Sequence, residues 1–367
     1  MNVPKLRFKE FNDEWINKCL SNIANITMGQ SPNSKNYTSN KNDIILIQGN
    51  ADLNNGYVVP RVFTTQITKT CSINDIIMTV RAPVGDTAIS DYNACIGRGV
   101  CAISGDKYIY HYLNYLKIKD YWKKISKGST IDSITSNDIR NLSINFPNSD
   151  EAKKIVKTLD LLDKKIELQS KKIEDLKLFK KGLILSLKKN SFDWHTVCIK
   201  DLFKITRGVV IPKNELSEFK NGEYKYPVYS SQTSNQGILG YSDTFDFNGK
   251  YLTWTTDGAN AGKVFYRNGK FRCTNVCGVL YEDNIRFTNE LFAELLNYET
   301  PKHVSYVGNP KLMNNVMADI KIKIPNDDVQ ENISLIINTI NNKVNLEKKK
   351  LLKFKELKKG LMQSMFV

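Results

Sequence analysis

Phe179-Lys-Lys-Gly-Leu-Ile-Leu-Ser-Leu187 and Leu357-Lys-Lys-Gly-Leu-Met-Gln-Ser-Met365 write Lys-Lys-Gly-Leu twice, with Lys180 and Lys358 at a separation of 178 residues. A glycine inside a lysine- and leucine-rich helical pattern costs about 1 kcal/mol relative to alanine. The same cost, met twice at one spacing, marks a duplicated architecture.

The duplication extends upstream. Phe146-Pro147-Asn148 matches Ile324-Pro325-Asn326 at the same shift. Leu142, Ile144 and Phe146 alternate with polar residues, as do Ile320, Ile322 and Ile324, which predicts a half-buried strand in each copy. Proline then stops the strand. Asn148 with Glu151, and Asp328 with Glu331, have capping-box spacing for a helix start. Near the N-terminus, Trp15, Cys19, Ile26, Thr27 and Gly29 match Trp194, Cys198, Ile205, Thr206 and Gly208. Farther in, Gly85 pairs with Gly262 and Cys95 with Cys273. The sequence between these anchors diverges. Shared residues are those a scaffold needs, and the differing ones fall in loops, where recognition resides.

The downstream segments carry a heptad seam. In the first copy it runs Ile155, Leu159, Leu162, Ile166, Gln169, Ile173, Leu176, Lys180, Leu183, Leu187. In the second it runs Ile333, Ile337, Ile340, Val344, Glu347, Leu351, Phe354, Lys358, Leu361, Met365. A mid-seam polar pair, Gln169 with Glu347, is expected to set the register. The expected order is globular unit 1–148, helix 149–190, globular unit 191–325 and helix 326–367. If a pseudo-two-fold axis relates the copies, the helices pair antiparallel as a coiled coil, each about 57 Å long at 1.5 Å per residue. The fold class is therefore α/β (α+β), a tandem repeat of two globular units spaced by two long helices. On a duplex, such a rod would hold two different readers at a set separation, so that a bipartite, asymmetric site is read.

The 367 residues are 41% hydrophobic with a net charge of +15. A basic balance of this size favours a polyanionic partner through counterion release. No apolar run reaches membrane-spanning length, and the start, MNVPKLRFKEF, lacks the apolar core of a signal peptide; a cytoplasmic location is expected. The seven cysteines form no Cys-x-x-Cys and only three histidines are present, so no metal site is expected and the cysteines read as buried reduced thiols.

Catalytic constellations are missing. There is no Gly-x-x-x-x-Gly-Lys-Ser/Thr phosphate loop, no Gly-x-Gly-x-x-Gly and no Asn/Asp-Pro-Pro-aromatic tetrapeptide. Asp150-Glu-Ala-Lys153 resembles a nuclease carboxylate-lysine pair but sits after Pro147 at a helix start, where capping accounts for it. Candidate DNA-contacting residues lie in loops. In the first copy they are Gln48, Asn50, Arg81, Arg98, Lys127, Ser129 and Thr130. In the second they are Ser230, Ser231, Gln232, Thr233, Asp257, Asn260, Lys263, Asn275, Asn309 and Lys311. Arginine and glutamine suit guanine and adenine edges, and lysine suits phosphate.

The start VPKLRFKEFNDEW, the turns ITMGQSP and ITRG, the stretch GNADLNNG and the paired KKGL helix ends together resemble the specificity subunit of Type I restriction–modification enzymes. The resemblance covers essentially the whole chain and rests on order and duplication. It implies two target-recognition domains, double-stranded DNA as ligand, and no catalysis by this chain. It further implies two modification subunits that supply adenine-N6 methylation with S-adenosylmethionine and dock on the central helices. Restriction subunits would use ATP and Mg for translocation and cleavage. Two other readings are compatible with the residues: the specificity component of another methylase–nuclease system, and a non-DNA coiled-coil scaffold with protein-binding ends.

Overall fold

The computed structural model describes residues 3–126, 133–189 and 194–367. The chain divides into two compact units, Met1–Ser170 with Lys349–Val367, and Lys171–Lys348. Both divisions fall inside long helices, Ser149–Lys189 and Asp327–Met365.

In unit one the alternation read at 142–146 forms the strand Ser143–Phe146, which pairs antiparallel with Ile16–Cys19. Leu142 and Ile144 are buried. A six-stranded sheet and a five-stranded sheet, strand order given in space, build the head. The first runs Asn25–Met28, Val100–Ser104, Ile76–Thr79, Thr87–Ile89, Tyr57–Val58, Leu53–Asn54. The second runs Tyr37–Thr38, Val62–Thr64, Ile44–Ile47, Ala94–Ile96, Thr70–Cys71. Helix Lys107–Ile118 closes the core against the long helices. Its Tyr108 and Tyr112 meet Phe366, and Ile155, Leu159, Met362 and Met365 share that core.

The start of the first long helix corrects one expectation. Asn148 Oδ1 does accept from the Glu151 N–H at 2.9 Å, as an N-cap should. The Glu151 carboxylate does not turn back to complete a capping box. It is fully buried and accepts from Arg7 Nε and Nη2 (both 2.8 Å) and from Trp15 Nε1 at 3.1 Å. Two stronger donors outcompete one backbone N–H, and the N-terminal segment is thereby tied to the helix. The second long helix starts at Asp327, so Asp328 lies inside its first turn rather than at the cap.

Unit two repeats the plan. His195–Cys198 pairs antiparallel with Lys321–Ile324, and Ile320, Ile322 and Ile324 are buried. One six-stranded sheet runs Lys204–Arg207, Cys277–Tyr281, Phe247–Thr255, Val264–Cys273, Tyr226–Tyr229, Ile238–Ser242. Helix Glu290–Glu299 packs Leu291 and Leu295 on Ile184, Ile333 and Ile337.

Within each unit the long helices pack side by side. Of the expected seam, Ile155, Leu159, Leu162, Ile173, Ile333, Ile337, Ile340, Val344, Glu347 and Met365 are buried. Ile166, Gln169, Leu176, Leu183, Leu187, Leu351, Phe354 and Leu361 are half-buried. Ala152, Ile184, Met362 and Phe366 are buried as well, because each globular unit covers a second face that a two-helix seam does not contain. The repeated lysines lie within these contacts. Lys358 pairs with Asp163 in unit one. Lys180 pairs with Glu294 and donates to Asn341 Oδ1 at 2.8 Å in unit two. Glu347 is met by Lys172 at 3.0 Å. The repeated glycines Gly182 and Gly360, in contrast, are exposed, and a Cβ on either would touch nothing within 4 Å.

All seven cysteines are free, yet Cys19 is exposed and Cys198 half-exposed. Both lie at the ends of short strands, Ile16–Cys19 and His195–Cys198, so the expectation of burial fails there.

Gly182→Ala and Gly360→Ala are each expected to stabilise the chain by about 0.5–1 kcal/mol, since alanine removes backbone freedom from the unfolded chain and meets no obstacle; denaturant unfolding checks it. A second outcome concerns pH. His111 is buried with Nε2 at 2.9 Å from Asp160, and burial, opposed by that hydrogen bond, lowers its affinity for a proton. The unfolded chain takes the proton first, so this contribution to stability is present above about pH 6.5 and is lost as pH falls below it. Hydrogen-exchange protection of helix Lys107–Ile118 is expected to drop between pH 7 and 5, and His111→Gln to flatten that slope.

Candidate nucleic-acid interface

The candidate readers sit where strands end, and both heads build that end from one hydrogen-bond frame. In unit one, Gly29 N–H donates to Val100 O, Gln30 N–H to Ile96 O, Gly97 N–H to Ile47 O and Val100 N–H to Gly97 O. In unit two, Gly208 N–H donates to Cys277 O, Val209 N–H to Cys273 O, Thr274 N–H to Tyr229 O and Cys277 N–H to Thr274 O. The turn Gly97–Val100 therefore corresponds to Thr274–Cys277, with Arg98 and Asn275 at the same place on its tip. The frame needs a glycine at its corner: a Cβ on Gly29 would lie 2.1 Å from Gly97 O, and one on Gly208 2.1 Å from Cys273 O.

A second loop hangs from a threonine in each head. Thr79 Oγ1 donates to Pro83 O at 2.6 Å and accepts from Asp86 N–H at 2.9 Å. Thr255 Oγ1 likewise donates to Asn260 O and accepts from Lys263 N–H, the latter at 3.0 Å. Gly85 and Gly262 both take a positive φ and donate to the threonine carbonyl, so their pairing in the repeat is structural. The pairing of Cys95 with Cys273 is one residue off. Ile96 stands beside Ile47 as Cys273 stands beside Tyr229; the loops between anchors differ in length, so residues of one type need not fall at one position.

The frame brings Gln48, Arg81 and Arg98 to one end of unit one. Arg81 is bridged to Ser133, and Val80 N–H donates to Gly99 O. Asn50 opens the short helix after Gln48, whose N–H donates to Asp52 Oδ2 at 2.8 Å. Gln30 and Ser31 join them unforeseen: Ser31 Oγ accepts from Arg98 N–H at 3.1 Å. Lys127, Ser129 and Thr130 lie outside the described residues.

In unit two, Ser231 Oγ donates to Val276 O and accepts from Asp257 N–H, while Thr274 Oγ1 donates to Ser230 Oγ at 3.0 Å. Gln232 Nε2 donates to Ile238 O within the same loop, which Thr233 continues. Asp257 is bridged to Lys311, and Gly258 N–H donates to Pro310 O beside Asn309. Asn260 is exposed on the far limb of the threonine-hung loop. Lys263 departs from the group: it is exposed, with its charge facing Glu294 and Lys180 on the helical side. It corresponds to Asp86 of unit one, which pairs with Lys117, and so reads as structural. Val209 and Val210, 50% and 74% exposed, extend the surface where unit one has Gln30 and Ser31. Asn235 and Gln236, exposed on a left-handed backbone, also belong here; the Asn-Gln-Gly turn signal could have found them.

Among the described residues, one group of metal-capable side chains, His111, Asp160 and Asp163, comes within 4.8 Å. Lys107 lies 2.8 Å from Asp160, and Lys358 pairs with Asp163. The carboxylates are thus balanced by ammonium groups, and the cluster is a charge network joining helix Lys107–Ile118 to the long helices.

The model of the Type I restriction modification DNA specificity domain family matches residues 12–178 and again 192–356. Over 145 residues the chain is 44% identical to a Mycoplasma pneumoniae protein named as the N-terminus of a type I specificity subunit, covering 39% of this chain and 76% of that one. It is 41% identical over 145 residues to the Type I restriction enzyme MpnII specificity subunit of the same organism, covering 39% of this chain and 43% of that one. The crystal structure of a Type-I restriction-modification system S subunit from M. genitalium aligns with a TM-score of 0.66 at 17% identity, over 100% of this chain and 99% of that one.

Gly29→Ala and Gly208→Ala are each expected to cost about 2 kcal/mol through overpacking against a carbonyl, in the head that carries the change. Hydrogen exchange of Asn25–Met28 and of Lys204–Arg207, measured in both variants, separates the two effects.

Proposed function

Because this chain belongs to the Type I restriction modification DNA specificity domain family, we infer that its two heads each read one part of a bipartite, asymmetric DNA site. Specificity subunits of type I systems are in general non-catalytic and act with other restriction–modification subunits and DNA. No helix among the described residues is long and apolar enough to cross a membrane.

One observation carries the asymmetric reading: the two loop ends share a hydrogen-bond frame but not a surface. Unit one presents Gln30, Arg81 and Arg98; unit two presents Val209, Asp257 and Asn275 at the corresponding positions. Arginine offers a fork to guanine N7 and O6, an amide pairs with adenine, and an exposed valine suits the thymine methyl. Identical scaffolds with unlike edges select unlike half-sites. The net charge of +15 adds sequence-independent attraction to phosphates. In this proposal two modification subunits, holding S-adenosylmethionine, methylate adenine-N6, and restriction subunits use ATP and Mg.

Co-expression with the modification subunit of its system and mapping of methylated adenines tests the reading. A two-part motif is expected. Arg98→Ala should relax one position of one half-site, with a loss of about 1–3 kcal/mol of discrimination, and Asn275→Ala one position of the other. Exchange of residues 1–148 for another family member's first domain should change one half-site only. Whole heptads added to both long helices should widen the uncontacted gap. A chain whose duplex affinity does not fall with salt would favour the protein-scaffold reading instead.

A further inference from the structure

Arg267 is the least expected residue of unit two. It lies in the strand Val264–Cys273 and is 6% exposed. Among the described residues no carboxylate pairs with it. Its guanidinium carbon stands 3.5 Å from the centroid of the Tyr229 ring and 4.4 Å from that of Phe265. Nε donates to Thr253 Oγ1 at 3.1 Å, and Nη2 donates to Gln236 O at 2.8 Å. A buried cation without a counter-ion is retained only where its fixed, forked donors are used, and here one fork ends on the backbone of a loop.

That loop is itself under constraint. Asn235 has φ 47° and ψ 39°, Gln236 has φ 55° and ψ 27°, and Gly237 has φ 85°. Asparagine enters the left-handed region with some ease, but glutamine does not. Two such residues in succession persist where surroundings over-determine them. Arg267 supplies that: it grips the Gln236 carbonyl, and a Cβ on Gly237 would already stand 3.0 Å from Nη2. Ser230 N–H closes the loop on Gly237 O, and Ser230 Oγ accepts from Thr274 Oγ1 beside the exposed Asn275. The outcome is a pair of adjacent, exposed amide side chains held at the loop end of the head.

We propose that Asn235 and Gln236 read adenine in the half-site of unit two, and that Arg267 is the positioning residue that holds their left-handed backbone in place. The chemistry follows from the amides: each can accept from adenine N6 and donate to N7 in the major groove. The proposal rests on the DNA-reading function inferred above and adds the bases and the residues.

The test uses the full chain co-expressed with its modification subunit, with methylated sites mapped and thermal midpoints measured. Asn235→Gly with Gln236→Gly keeps the backbone that the loop requires. It is expected to hold or raise the midpoint, while discrimination at one or two adjacent A·T positions of one half-site falls about tenfold or more. The other half-site stays unchanged. Arg267→Met, which keeps the packing and removes the grip, is expected to blur the same positions. An unaltered motif in the double-glycine variant overturns the proposal, as does a change in both half-sites. A wild-type chain that directs no two-part motif overturns the DNA reading itself, and this inference with it.

Discussion

Two largely buried ammonium groups hold the helix pairs in register. The side chains of Lys180 and Lys358 are each 17% exposed, and each reaches from one long helix to a polar group on the other, Asn341 in unit two and Asp163 in unit one. A slip of seven residues would set Lys180 opposite Ser334 or Lys348, and Lys358 opposite Val156 or Ser170. Apolar seams tolerate such slips, since one leucine resembles another; a partly buried charge does not, because an uncompensated one costs several kcal/mol. The apolar contacts hold the helices together and the lysines decide which contacts they are. Lys180 also pairs with Glu294 of the helix packed alongside, so the same contact joins the head to the rod.

Much of this was legible in the sequence, for a physical reason. A strand with alternating burial and a helix with a seam impose periods of two and three to four, and periods survive where individual residues change. The strands ending at Phe146 and Ile324 and the seam from Ile155 and Ile333 follow directly. What escaped lies where the chain serves two masters. Ile184 and Met362 are buried because a globular unit covers a second helix face. Glu151 fits a capping box by spacing, yet its carboxylate is claimed by Arg7 and Trp15 from more than a hundred residues away. No local rule sees a partner at that distance.

The candidate interface was partly legible. Turn residues marked loops that the shared hydrogen-bond frame gathers at one end of each head, Gln48, Arg81 and Arg98 in unit one and Ser230, Ser231, Asp257 and Asn275 in unit two. Register did not come through, because the loops between anchors differ in length; hence the one-residue shift at Cys95. Gln30, Ser31 and Arg267 carry no signal of their own. They matter through the corner at Gly29 and through the buried face of a strand, and both exist only after the chain has folded.

The threonine frame has an engineering consequence. Thr79 and Thr255 close their loops with the same four hydrogen bonds, although one loop is a residue longer than the other. The closure is indifferent to what it encloses. It forms a cassette boundary, at the threonine and the glycine that follows, where variable inserts can be traded without re-engineering the sheet beneath.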